Sequence, residues 1–193
     1  MGEVVVSEFI SLDGVMEDPG GAEDTPFGGW TFRFSAEEGQ RLKYDELMAA
    51  DVQLLGRVTY EEFAANWPAM EDAAGDFGAK MNAMPKVVVS NTLTDPSWNN
   101  TTVATGKLPD IVAGLKDTYQ GNILVGGSAT LIDALREHDL VDEYRLTLYP
   151  VILGQGKKLF KEGAPSSDLR LVESLKAGPD VQLLIYRPTN RDG

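Results

Sequence analysis

"NILVGGSATLIDAL", residues 122–135, joins an apolar run to a helix-like pattern through Gly126-Gly127. The run before the glycines is short and continuously apolar, which suits a strand buried on both faces. After them, Leu131, Ile132 and Leu135 recur at helical spacing, with Ser128 placed to cap the first turn. A packed core does not need two glycines at such a junction. They let a ligand approach the backbone with no Cβ in the way. The helix start beside them offers N–H groups and a positive dipole end to an anion such as phosphate. A tight strand-to-helix turn with no ligand explains the pair equally well. The dinucleotide fingerprint G-x-G-x-x-G is absent.

The same strand–helix alternation runs through most of the chain. "EVVVSEFISL" (3–12), "DVQLLG" (51–56) and "KVVVSN" (86–91) read as further strands. "SAEEGQRLKYDELMAA" opens with Ser35 and Glu38 at capping-box spacing, and "TYEEFAANW" repeats that spacing with Thr59 and Glu62. "LPDIVAGLKDTY" carries Pro109 near its start, where a missing N–H costs nothing. Such alternation predicts an α/β sheet with right-handed crossovers. The end of the chain differs. "EYRLTLYPVIL" (143–153) alternates, and "LRLVESLKA" (169–177) and "VQLLIYRP" (181–188) flank Gly178-Pro179-Asp180, a hairpin signal. The expected fold is one α/β domain over residues 1–188. It has a mostly parallel sheet of about eight strands, a C-terminal antiparallel hairpin and about four helices. Residues 189–193 are expected as a flexible tail.

Composition narrows the function. With 193 residues and 42% hydrophobic content, the chain can bury a sizeable core. It has no cysteine, so a thiolate nucleophile, a thiolate metal site and disulfides are all excluded. No run is long enough to span a membrane, and the reading is a cytoplasmic protein. The net charge of −13 sits entirely in residues 1–76, which hold 17 acids against 4 Lys+Arg; residues 77–193 hold 13 of each. That imbalance argues against nucleic acid and anionic membranes as partners. It reads either as a solubilising surface or as an acidic rim on a cleft. His138 is the only histidine and falls near a helix C-terminus, so a Ser-His-Asp triad has no support. No carboxylate spacing matches a metal loop, and no metal is expected.

Two more strand ends carry chemistry. In an open α/β sheet, ligands bind beyond the carboxyl ends of the strands. "LLGRVTYEEF" places Gly56 and Arg57 at one such end, with Thr59 at the next helix start. Arg57 can hold a phosphate in bidentate fashion, or it can pair with Glu61. "VVVSN" ends in Ser90 and Asn91, which either bind phosphate or ribose or form a turn.

Together these segments, with "SLDGVM" (11–16) and "LVDEYRLTLYPVILGQG" (140–156), resemble the dihydrofolate reductase-like superfamily. The branch they resemble most is the C-terminal reductase domain of the riboflavin biosynthesis enzyme. The resemblance spans nearly the whole chain and implies an oxidoreductase using NADPH on a small molecule, and a homodimer paired through "EYRLTLYPV". It implies cofactor contacts from Arg57 with Thr59 behind it, from Ser90 and Asn91, and from Gly126, Gly127, Ser128 and Ala129. Ser11, Asp13 and Gly14 match the loop covering nicotinamide and substrate, and residues 15–30, with five acids from Asp13 to Asp24, match a mobile lid.

Departures from the family set the substrate apart. The acid that folate reductases carry on the first helix falls on Gln40, although Glu37 lies one turn away. An acidic lid would repel a phosphorylated substrate, and Lys157, Lys158 and Lys161 are the nearby basic groups. The expected reaction is hydride transfer to a pteridine-like, pyrimidine-like or carbonyl compound. Asp13 is the first candidate for orienting or protonating it, and Tyr149 the second; each has a plain structural reading as a turn or core residue. Gln155 lines the same segment, and Trp30 either stacks on a substrate ring or packs. The alternatives are a non-catalytic nucleotide-binding or dimeric scaffold protein and a flavin- or deazaflavin-binding relative.

Overall fold

In the computed structural model, residues 1–35, 37–164 and 166–189 are described. Among them are eight strands of one sheet and four α-helices, as the alternation predicts. The chain divides into two compact units, residues 1–6 with 44–141 and residues 7–43 with 142–193. Strand β1 (Glu3–Ser11) contributes to both.

The first unit is wholly parallel. Its strands run in the order β4 (Thr101–Ala104), β3 (Lys86–Val89), β2 (Ala50–Gly56), β5 (Asn122–Val125) and then β1. β2 and β5 are buried almost throughout, as their short apolar runs Leu54-Leu55 and Ile123-Leu124-Val125 suggest. β4 escapes a hydropathy reading because Thr-Thr-Val-Ala is a half-exposed edge strand with no apolar run. The crossovers are α2 (Arg57–Ala83), α3 (Leu108–Thr118) and α4 (Ala129–Glu137). Helix α2 is interrupted at Gly75, whose φ of +56° only glycine adopts readily. In α4 the Ser128 hydroxyl accepts from the Leu131 amide, and Leu131, Ile132 and Leu135 face inward as their spacing requires. Helix α1 (Glu37–Ala49) precedes β2. The residue linking Ser35 to it lies outside the described residues, so that capping pair is not described either.

Two expectations are corrected here. Thr59 does not cap α2: the helix begins two residues earlier, with Gly56 in the cap position. The strand can turn straight into a helix there because Gly56 has no side chain; a Cβ would lie 2.5 Å from Ser128 Oγ. "EYRLTLYPV" is not a sheet edge either. β6 (Glu143–Tyr149) lies between β1 and β8 (Gln182–Pro188), and β7 (Leu169–Lys176) is the outer strand. The β7–β8 hairpin turns at Gly178-Pro179-Asp180 as read, with a bulge between Leu171 and Glu173.

The first unit's core contains one fully buried cation. Lys86 opens β3, and its Nζ donates to the carbonyls of Asn82, Met84 and Asn99 at 3.0, 2.8 and 3.2 Å. It also lies 4.1 Å from the centre of the Trp98 ring. The ammonium thus satisfies carbonyls at the end of α2, where the helix dipole favours a positive charge. Trp98 is fixed in turn by Asn82 Oδ1 and by the Tyr60 hydroxyl, which accept from its indole and backbone N–H groups. Burial lowers the lysine pKa to about 8 from an ordinary 10.5. A folded-state pKa below the unfolded one means that stability is lowest below pH 8 and rises towards pH 10.5. The difference in unfolding free energy between wild type and Lys86→Met is expected to shift over that window by at most about 3 kcal/mol. Urea denaturation at pH 7.5 and pH 10 measures it.

Candidate functional site

The parallel register brings three strand ends to one edge of the first unit. Gly56 at the end of β2 pairs in register with Val89 at the end of β3, and β5 runs alongside β2 with Gln53 opposite Leu124. Gly56-Arg57, Ser90-Asn91 and Gly126-Gly127 therefore leave the sheet at the same end, each where a strand gives way to a turn or helix.

The two glycines that open the question have different reasons to be there. Gly127 is demanded by the fold: its φ is +82°, and a Cβ would lie 3.0 Å from Thr59 Oγ1. Gly126 is not. Its φ lies outside the left-handed region, and a Cβ there would meet no atom within 4 Å. Neither a left-handed φ nor packing requires a glycine there. The Gly127–Ser128 peptide is cis. Ala129 begins α4, whose first-turn amides have no intrahelical acceptor.

Arg57 is the first residue of α2, about half exposed, and pairs with Glu61 at 2.7 Å. An exposed i,i+4 pair is worth only about 0.3–0.5 kcal/mol, so a phosphate can compete for the guanidinium. Ser90 is buried, and its Oγ accepts from the Thr92 and Leu93 amides at 3.1 and 3.0 Å, which makes it a turn former. Its hydroxyl also lies 3.4 Å from Thr92 Oγ1, and either oxygen can be the donor. Asn91 is exposed. Lys107 occupies the N-cap position of α3 just past the end of β4, makes no side-chain cap bond and is exposed.

The second unit carries the other candidates. Asp13 lies in the loop leaving β1, and its carboxylate is fully engaged in holding that loop. Oδ1 accepts from Ser11 Oγ at 2.6 Å and from the Leu153 amide at 3.1 Å, and Oδ2 accepts from the Gly154 amide at 2.8 Å. Ser11 Oγ in turn accepts from the Val15 amide. Gly14 has φ +82° and closes the turn back to Ser11. The Ser11 hydroxyl and the two amides hold the Asp13 pKa down to about 2. In this arrangement the Asp13 carboxylate fastens the loop. Gln155 is exposed in the turn that Asp13 anchors.

Tyr149 and Trp30 are buried. Tyr149 is 4% exposed and lies against Phe9, Trp30 and Phe34 at 5.8, 5.5 and 5.8 Å between ring centres. Burial raises its pKa. Trp30 is 0% exposed, and its indole N–H donates to the Glu17 carbonyl. Both rings build the second unit's core. Gln40 is exposed on α1.

The acidic stretch is mostly structural. The Asp18 carboxylate is buried and accepts from the amides of Glu23 and Thr25 and from the Thr25 hydroxyl. Lys157 pairs with Glu17 at 2.8 Å and with Glu23 at 3.5 Å, which lowers the Glu17 pKa and raises its own. It is therefore already engaged by acids of this loop. Among the described residues there is no group of three metal-ligating side chains, and no helix is long and apolar enough to cross a membrane. His138 caps the C-terminus of α4, exposed.

Parallel strands ending in glycine- and hydroxyl-bearing turns, with an antiparallel hairpin to finish, define a dihydrofolate reductase-like α/β protein. The RibD C-terminal domain model matches residues 3–183, and the chain belongs to that family. It is 28% identical over 180 residues to the uncharacterised protein YwjB of Bacillus subtilis (strain 168), covering 92% of this chain and 94% of that one. A crystal structure from Shewanella sp. PV-4, whose name places it in riboflavin biosynthesis, superposes with a TM-score of 0.75 at 24% identity, covering 97% and 99% of the two chains. Dihydrofolate reductase from Enterococcus faecalis, in complex with NADP(H), gives 0.59 at 15% identity over 97% and 96%. At those identities both structures show the fold.

The Asp13 fastener makes a direct prediction. A folded pKa near 2, below the ordinary 3.8, means that its contribution to stability is complete above pH 3.8 and is lost as pH falls through 2. Asp13→Asn should speed hydrogen exchange at the Leu153 and Gly154 amides at least tenfold at neutral pH, with little change in β2, β3 or β5. Mass-spectrometric exchange reads both.

Proposed function

We propose that the protein is an NADPH-dependent reductase of a small heterocyclic or carbonyl compound. The observation that carries this reading is Gly126. It is a glycine that the fold does not require, at the open end of a strand, beside a helix start and on the same sheet edge as Arg57. Membership of the RibD C-terminal domain family supports it, as does the NADP(H) in the Enterococcus structure.

In this reading the backbone of residues 126–129 lies under the dinucleotide's pyrophosphate, with α4's first-turn amides as donors. Arg57 leaves Glu61 for the phosphate on the adenosine ribose, since a guanidinium suits a phosphate in bidentate fashion. Ser90 and Asn91 donate to the same half of the ligand. The bound nicotinamide supplies hydride. In the second unit, Asp13 holds the loop from Ser11 to Gly14 and the turn carrying Gln155 in one arrangement, so it is a positioning residue. A nucleotide-binding protein without turnover is the second reading. One observation favours it: the Asp13 carboxylate accepts from the Ser11 hydroxyl and the Leu153 and Gly154 amides, and Tyr149 lies in the second unit's core.

Gly126→Ala tests the first reading cleanly. The added Cβ meets open space, so the midpoint of thermal unfolding should stay within about 2 °C of wild type, the change expected for well under 1 kcal/mol. Affinity for NADPH by calorimetry should fall about tenfold or more, a cost of roughly 1.4 kcal/mol. Arg57→Ala should weaken NADPH binding by a similar factor and NADH binding much less. Equal NADPH affinity in Gly126→Ala and wild type would contradict the proposal. Tight NADPH binding without oxidation across pteridines, pyrimidines and aldehydes would favour the second reading.

A further inference from the structure

The sheet of the second unit ends at β7, and no described strand pairs with its outer side. An edge of this kind offers backbone N–H and C=O groups to any strand that fits it. Leu171 and Val172 lie in the middle of β7 and are 50% and 51% exposed. Arg170 and Glu173 flank them, and both are exposed. The bulge decides how these four residues are presented. Arg170 lies opposite Arg187 on β8, Leu171 opposite Tyr186, and Glu173 opposite Ile185. Arg187 and Ile185 are two apart on their strand and share one face of the sheet. Arg170 and Glu173 therefore share that face as well. They are three residues apart, a spacing that puts side chains on opposite faces of an unbulged strand. Leu169 and Ser174, opposite Pro188 and Leu184, share the other face by the same rule.

A second copy of the same strand fits this pattern. A two-fold axis normal to the sheet lays two β7 strands side by side and antiparallel, and it keeps every residue on its own face. Residues directly opposite each other must then share a face. Across the bulge, Arg170 and Glu173 meet that condition. With the axis between Leu171 and Val172, Arg170 of each copy faces Glu173 of the other, Leu169 faces Ser174, and Leu171 faces Val172 at the centre. We infer that β7 is the edge through which two copies of this chain pair, antiparallel and in this register. The neighbouring register that keeps faces matched sets Arg170 against Leu175 and Glu173 against Val172, so it brings no opposite charges together. A guanidinium has five N–H donors, so Arg170 can reach Glu173 of the second copy alongside its partners within its own chain. Strand hydrogen bonds and the central apolar residues hold the two copies, and the flanking ion pairs select the register. The contact is isologous and closes at two copies. Nothing in it rests on coenzyme binding.

Sedimentation velocity of the full-length protein over a broad range of concentration tests this with charge-reversal variants. Wild type is expected to sediment as a dimer that dissociates on dilution. Leu171→Asp puts a carboxylate at the centre of the contact and should stay monomeric where wild type is paired. Arg170→Glu and Glu173→Arg each set like charges opposite one another and should weaken pairing by about tenfold or more. Combining Arg170→Glu with Glu173→Arg restores opposite charges and should return the affinity to within about threefold of wild type. These side chains are exposed, so far-UV circular dichroism should match wild type in every variant. Recovery in the double variant also separates lost pairing from lost folding. Wild type that is monomeric throughout overturns the inference and leaves the bulge and charges of β7 as protection of a lone edge. A dimer that Leu171→Asp leaves intact overturns it too, as does a double variant that pairs no more tightly than its two parents.

Discussion

The first unit depends on a missing side chain. Gly56 ends β2 with nothing on its Cα, and the Ser128 hydroxyl occupies the space where a Cβ would be. That close approach ties the end of one strand to the start of the helix after another. Because Ser128 also caps α4, the same hydroxyl sets where the helix begins and where its first amides lie. Parallel pairing adds the rest: β2, β3 and β5 share a direction, so their carboxyl ends, and the polar residues that follow them, gather at one edge. The edge on which we propose that an anion binds follows from strand direction and two close contacts, without any basic patch in the sequence.

Such an edge tolerates an acidic protein. The excess negative charge in the first two-fifths of the chain looks, as sequence, like a screen against anionic ligands. Part of it is engaged locally in the second unit. Asp13 and Asp18 accept hydrogen bonds from backbone amides and hydroxyls of their own loops, and Glu17 holds Lys157. Short acidic side chains are doing there what turn-forming residues do elsewhere, giving an irregular loop one stable path.

Much of the fold was legible because its signals are local. Buried parallel strands read as short apolar runs, and the final hairpin announced itself through Gly-Pro-Asp. β4 was not legible, since a half-exposed edge strand of threonines has neither periodicity nor an apolar run. Thr59 and Glu62 gave a false helix start, because the capping pattern says nothing about a glycine three residues earlier that lets the strand turn directly into the helix. At the candidate site the backbone features were legible and the side-chain roles were not. Gly126, Gly127 and Ser128 stand out by type alone. Whether Tyr149 and Trp30 face a ligand or a core depends on Phe9 and Phe34, residues far away in sequence. The engagement of Asp13 likewise depends on amides some 140 residues later.

The central claim is that the backbone at Gly126 is left bare for a dinucleotide. A crystal structure of the protein with NADPH tests it most directly. The account predicts pyrophosphate oxygens lying over Gly126, within hydrogen-bonding distance, about 3 Å, of backbone amides at the start of α4, and the Arg57 guanidinium turned from Glu61 to a phosphate. A dinucleotide bound elsewhere, with only solvent over Gly126, would contradict it.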